Sequence, residues 1–235
     1  MWLQRDNRTP LARSRTQDDV ASADIGATLP AMLHPLPHFT SILAVAALAL
    51  GSAQAATVSV VVTDPSAKPL ADAVVMLEPA SGHLPVKPMS GVRIAQVQRR
   101  FSPQVTVVSV GTPVDFPNFD TVRHHVYSFS PIRTFELKLY AGTPHAPVVF
   151  DKPGIAVLGC NIHDKMTAWV VVVDTPLHTR SAATGKAVIE GVPAGNYRLR
   201  VWHPSLEAAT EPTSMPLVVE TVDVAQRVTL TLGGS

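Results

Sequence analysis

Gly159-Cys160-Asn161-Ile162-His163-Asp164-Lys165-Met166 places a thiol, an imidazole and a thioether three residues apart, directly after a strand-like run, Ile155-Ala156-Val157-Leu158. Taken singly, a buried Cys and Met with an exposed His between them are ordinary core and surface residues. Taken together they are three of the four ligands of a mononuclear type 1 copper site, which takes two His and one Cys in a plane and a long, weak Met bond on the axis. A loop with ligands at i, i+3 and i+6 can wrap one ion while its flanking strands hold it rigid. The second flank is Thr167-Ala168-Trp169-Val170-Val171-Val172-Val173, apolar and β-branched. One His remains to be supplied from upstream.

The rest of the composition agrees with a β scaffold carrying one site. Charged residues make up 16% of the 235, and there are 21 prolines with few helical periods, which suits short strands joined by turns. The formal net charge of +1 gives no reason to expect nucleic acid as a partner. Cys160 is the only cysteine, so no internal disulfide can form. In an oxidising compartment a bound metal would protect that thiol.

Upstream, Phe101–Val108, Gly111–Asp120 and Arg123–Phe129 read as three strands with turns between them. The missing His lies in the third, where two stand side by side. His124 shares a strand face with Val126 and Ser128, and His125 with Tyr127 and Phe129. Both faces carry something apolar, so alternation alone leaves the choice open.

Val114-Asp115-Phe116-Pro117-Asn118, His124-His125-Val126 and the Cys160 to Met166 loop together resemble the cupredoxins, the group of plastocyanin, pseudoazurin and amicyanin. In that family "V-x-F-x-N" followed by "H-N-V" supplies the first His ligand, and "C-x-x-H" with a following Met supplies the others. The resemblance spans roughly residues 90 to 174, and the short loop is similar to that of amicyanin. It implies a Greek-key β-sandwich binding one type 1 copper through His124, Cys160, His163 and Met166. The family commonly places an Asn after the first His to tie the two ligand loops together. His125 stands there in this chain, leaving Asn118 or Asn161 for that role.

Outside this segment, Thr57–Thr63, a turn at Asp64–Leu70 and Ala73–Glu78 read as one hairpin, and Gly185–Val201 as a second with a Gly-rich turn. The pair resembles the transthyretin-like, carboxypeptidase regulatory-like β-sandwich, in which the two hairpins usually follow each other directly. Here Lys87 to Thr175 intervenes. The expected organisation is all-β: residues 87–175 as a cupredoxin domain, inserted into a smaller sandwich made of residues 56–86 and 176–235.

Residues 1–55 read as an extension and a signal peptide. Ile42–Leu50 is an apolar core of secretory length, too short to span a bilayer, and Ala53-Gln54-Ala55 has the small-x-small pattern that signal peptidase cleaves. The expectation is a periplasmic or secreted protein with no stable membrane anchor after cleavage.

No Ser-His-Asp grouping, phosphate-binding Gly loop or paired carboxylates has local support in the sequence. With one copper cycling between Cu(I) and Cu(II), the first functional class is an electron carrier with a redox partner such as a cytochrome or an amine-oxidising enzyme. No enzyme is expected, because copper oxidases and nitrite reductases built on cupredoxin domains need a second copper centre. Chains of this kind resemble proteins named for methylamine utilisation. The second class is a copper delivery, storage or oxidase-assembly module using the same ligands without redox turnover. His83, His145, His178 and His203 lie in turns and are expected to be solvated. Trp169 and Trp202 are expected in the core, and Tyr197 at a packed corner.

Overall fold

The computed structural model describes residues 55–206 and 211–233; the signal-peptide reading lies outside these residues. Among the described residues there are strands and no helix, and none long and apolar enough to cross a membrane. The strands are β1 (Ala56–Thr63), β2 (Val74–Pro79), β3 (Val92–Arg93), β4 (Ala95–Val97), β5 (Arg100–Ser102) and β6 (Val105–Ser109). They continue as β7 (Thr112–Asp115), β8 (His124–Ser130), β9 (Arg133–Tyr140), β10 (Val148–Phe150), β11 (Gly154–Cys160) and β12 (Thr167–Val173). The last five are β13 (His178–Arg180), β14 (Lys186–Val192), β15 (Gly195–Trp202), β16 (Thr213–Val219) and β17 (Val224–Thr229). The fold is all-β.

Strands from the two ends of the chain pair with each other. One sheet runs β14-β1-β17 and another β13-β2-β15-β16. Between them Val58, Val60 and Val62 of β1 meet Val75, Leu77, Leu199 and Val201 in one buried cluster. Each such side chain taken out of water contributes about 1.5–3 kcal/mol before chain entropy is set against it.

This arrangement corrects both expected hairpins. β1 and β2 lie in different sheets, as do β14 and β15. The physical reason is that β1 already has a neighbour on each edge, antiparallel β14 and parallel β17, so no edge is left for β2. The turn residues serve instead as corners between sheets. Asp64 Oδ1 accepts from the amides of Ser66 and Lys68, and the Tyr197 hydroxyl donates to Pro193 O at 2.8 Å, closing the packed corner before β15.

The middle of the chain builds its own sheets. β6-β12-β11-β8-β9 faces β10-β7-β3, with the small hairpin β4-β5 beside them. Ile94, Phe116, Val126, Phe150, Leu158 and Val170 are among the residues that fill the space between. The single strand expected from Phe101 to Val108 is two, β5 and β6, broken at Pro103, which has no amide hydrogen to continue a ladder.

A third cluster joins these sheets to the first pair. Val74, Met76 and Trp202 meet Val105, Val171 and Val173, with the Trp169 and Trp202 ring centroids 6.3 Å apart. The two tryptophans therefore mark a seam between sheets, and Trp169 is only half-buried.

His178 lies half-buried in β13 rather than solvated in a turn, and His203 is a further correction, because it is buried. Its Nε2 lies 3.0 Å from Ala71 O, a contact that needs Nε2–H, while Nδ1 accepts from the Ser205 amide at 3.1 Å. A second proton on Nδ1 would break the latter bond. Burial holds His203 below its usual value of 6.5, outweighing the carbonyl of Ala71 and the charge of Asp72, and burial lowers the half-buried His178 as well. The unfolded chain then binds more protons than the folded one just below pH 6.5, so stability falls as pH drops through that window. Urea unfolding is expected to give a smaller free energy at pH 5 than at pH 7.5, with His203→Gln narrowing the difference.

Candidate metal centre

The site sits where β8 begins and β11 ends. Those strands pair antiparallel, with Gly159 opposite Tyr127 and Cys160 opposite Val126. The pairing sets Cys160 beside the entry to β8, and His124 follows from its register. β8 presents His124, Val126 and Ser128 inward, all fully buried. Gly159 is needed beneath Tyr127, since a Cβ there would stand 2.6 Å from the tyrosine ring.

Residues 161–166 form a tight loop that returns the chain to β12. The Met166 amide donates to His163 O at 2.9 Å, and the Asn161 amide to His125 O at 3.3 Å. The second bond ties the two loops that carry the candidate donors through the main chain of residue 125, whatever its side chain. Asn118 braces the upstream loop instead, donating to Val122 O and Tyr140 O and accepting from the Asp120 amide.

His124, Cys160 and His163 converge, with ligand atoms all within 4.8 Å of one another. Cys160 Sγ lies 3.7 Å from His124 Nδ1 and 3.8 Å from His163 Nδ1. Donors bound at about 2.3 Å (sulfur) and 2.0 Å (nitrogen), set 120° apart, stand about 3.7 Å from each other. Both sulfur–nitrogen separations therefore fit a trigonal metal ion, and the two imidazole nitrogens lie within 4.8 Å of each other. Cys160 and His124 are buried and His163 is half-buried. Met166, 1% exposed, belongs to the same apolar cluster as Cys160.

His125 points elsewhere. Its Nδ1 lies 3.5 Å from Asn161 Nδ2, and its Nε2 stands 2.8 Å from Glu136 Oε1 in an alignment too bent for a good hydrogen bond. β9 carries an extra residue opposite this point, between the pairs His124–Tyr140 and Val126–Leu137. Tyr140 lies opposite His124 across the β8–β9 pair. Burial pushes it up to about 12, against the lowering effect of the bond from Gln96, so it stays protonated and donates to Phe116 O at 2.7 Å.

One residue in contact with the candidate site escaped the sequence reading. Asp120 Oδ2 lies 2.8 Å from His124 Nε2, and the carboxylate also accepts from the amides of Gln98 and Arg99. Partial burial raises its pKa, but the amide of Arg99, the ring of His124 and the amide of Gln98 together hold it below the usual 3.8. No cue in the sequence singled it out among the carboxylates.

No protein-family profile and no curated protein matches the chain. Among solved structures it is similar to a purple cupredoxin from Nitrosopumilus maritimus, at 24% identity over 35% of this chain and 99% of that one, with a TM-score of 0.31. A reduced Cu(I) form of an amicyanin mutant at pH 4 is 17% identical over 42% of this chain and 98% of that one, with a TM-score of 0.32. A copper-containing nitrite reductase from Thermus scotoductus is 26% identical over 48% of this chain and 28% of that one, with a TM-score of 0.33. Each covers less than half of the chain.

Proposed function

We propose that residues 87–175 are a cupredoxin-like domain that would hold one type 1 copper through His124, Cys160, His163 and Met166, and that the protein is a periplasmic one-electron carrier. The observation that carries this reading is the convergence of a buried thiol on two imidazole nitrogens, with both sulfur–nitrogen separations those that a trigonal ion requires. A thiolate with two imidazoles and a neighbouring thioether is a soft donor set that suits copper. When bound, copper would supply a one-electron couple between Cu(I) and Cu(II).

The chain's own residues would supply the rest. β8 and β11 hold His124 and Cys160 at fixed separation, which keeps reorganisation small when charge changes. The half-buried His163, beside exposed Ile162, is the donor nearest solvent and would face a redox partner. The smaller sandwich, residues 56–86 and 176–235, would serve as the frame into which this domain is inserted.

The test is the visible absorption spectrum of the protein loaded with Cu(II). An intense thiolate-to-copper band is expected, and a spectrum showing only the weak bands of a loosely held ion would sink the reading. Met166→Gln is expected to keep the colour and lower the reduction potential, because a harder oxygen donor favours Cu(II). Cyclic voltammetry of the two proteins side by side checks this.

A further inference from the structure

The turn between β4 and β5 is made of two residues, Gln98 and Arg99, with φ of 52° and 58°. It joins strands paired in close register, Val97 opposite Arg100 and Gln96 opposite Phe101. Two-residue turns with both φ values positive are normally Asn-Gly or Asp-Gly, because other side chains crowd the backbone there. Backbone strain of this kind persists only where the surroundings over-determine it. Here the surroundings are Asp120, whose Oδ1 accepts from the Gln98 amide at 2.6 Å and whose Oδ2 accepts from the Arg99 amide at 2.9 Å.

The same Oδ2 meets His124 Nε2 at 2.8 Å. A carboxylate held by two amides can only accept from the ring, so Nε2 carries a hydrogen, and in the neutral ring Nδ1 is then left with its lone pair. That lone pair is on the atom 3.7 Å from Cys160 Sγ. The His124 ring is fully buried, so no solvent molecule stands in for Asp120 at Nε2. Asn118 Oδ1 accepts from the Asp120 amide and holds the loop in place from behind.

We propose that the Gln98–Arg99 turn and Asp120 form a positioning device that fixes the orientation and tautomer of His124, readying Nδ1 for the metal before the metal arrives. Asp120 is the positioning residue, and the turn holds it in place. The proposal rests on the reading of His124 as a ligand and deepens it. Outer partners of metal-bound histidines typically change affinity 10–100-fold when removed.

The test uses the full-length chain with and without Cu(II). In the metal-free, nitrogen-15 labelled protein, long-range proton–nitrogen NMR is expected to show His124 as the Nε2–H tautomer; a wild-type ring protonated on Nδ1 alone overturns the proposal whether or not any variant folds. Asp120→Ala is expected to lose that single tautomer and to bind Cu(II) about 10–100-fold more weakly in competition with a chelator. Asp120→Asn keeps one oxygen acceptor and is expected to recover part of both. Gln98→Asn with Arg99→Gly keeps both amides in an easier turn, and is expected to raise the melting temperature while leaving tautomer and affinity as in wild type. An Asp120→Ala protein with unchanged tautomer and affinity would refute the device. A wild-type protein with the expected tautomer and no thiolate band would instead refute the type 1 copper reading and leave the positioning of the ring intact.

Discussion

Cys160→Ser is expected to abolish the thiolate-to-copper band and to remove most of the copper affinity. Serine puts a hard, protonated hydroxyl where the soft anionic donor stood, and its oxygen does not ionise at neutral pH to replace the lost charge. The two imidazoles that remain cannot by themselves give the intense colour, which belongs to the sulfur–copper bond. Folding should survive, because Cys160 is one small member of an apolar cluster that also holds Phe116, Phe150 and Leu158. The buried hydroxyl costs about 1–3 kcal/mol if it finds no partner. Absorption spectra and a chelator competition on the folded variant check the result. A Cys160→Ser protein that binds Cu(II) as tightly as wild type would show that the metal sits elsewhere.

How much of this site could be read beforehand follows from where its parts lie in the chain. Cys160, His163 and Met166 share one loop between two apolar strands, so their spacing was visible directly. The third donor needed more than spacing, since β8 buries two adjacent histidines, one on each face. Asp120 was out of reach, because its role depends on a turn built from Gln98 and Arg99, residues with no turn signature. The amides there matter and the side chains do not, so the sequence carries no mark of them.

The fold divides in the same way. β12 and the ends of β15 stand out as apolar or alternating runs, and their positions follow from composition. β9 also alternates, with Phe135 and Leu137 facing the core cluster and Thr134, Glu136 and Lys138 on the other face. Its many polar residues hid that pattern. Which strands pair is a different matter. The turns at Asp64–Leu70 and Val192–Gly195 have the residues of hairpin turns, yet each carries the chain from one sheet to the other. Turn chemistry specifies a reversal of direction and leaves open whether the next strand forms hydrogen bonds with the last or packs across from it.

His124→Ala and His125→Ala are expected to part sharply, although the two residues are neighbours. His124 is fully buried and aims Nδ1 at Cys160 Sγ, and its removal takes away a donor that no nearby side chain replaces. Copper affinity should fall by more than the roughly 100-fold upper figure for losing an outer partner, with the colour lost. Added imidazole, small enough to enter the vacated space, should restore part of it. His125 faces the other side of β8, toward Glu136 and Asn161. Its contribution to loop tethering runs through its carbonyl, which accepts from the Asn161 amide and is untouched by truncation of the ring. His125→Ala should therefore keep the band, with a stability cost of about 0.5–3 kcal/mol from lost packing against Tyr127. Spectra and thermal melts of both proteins decide between the two histidines. Colour lost with His125 and kept without His124 would reverse the ligand assignment, and the sheet pairing that sets Cys160 beside β8 would still stand.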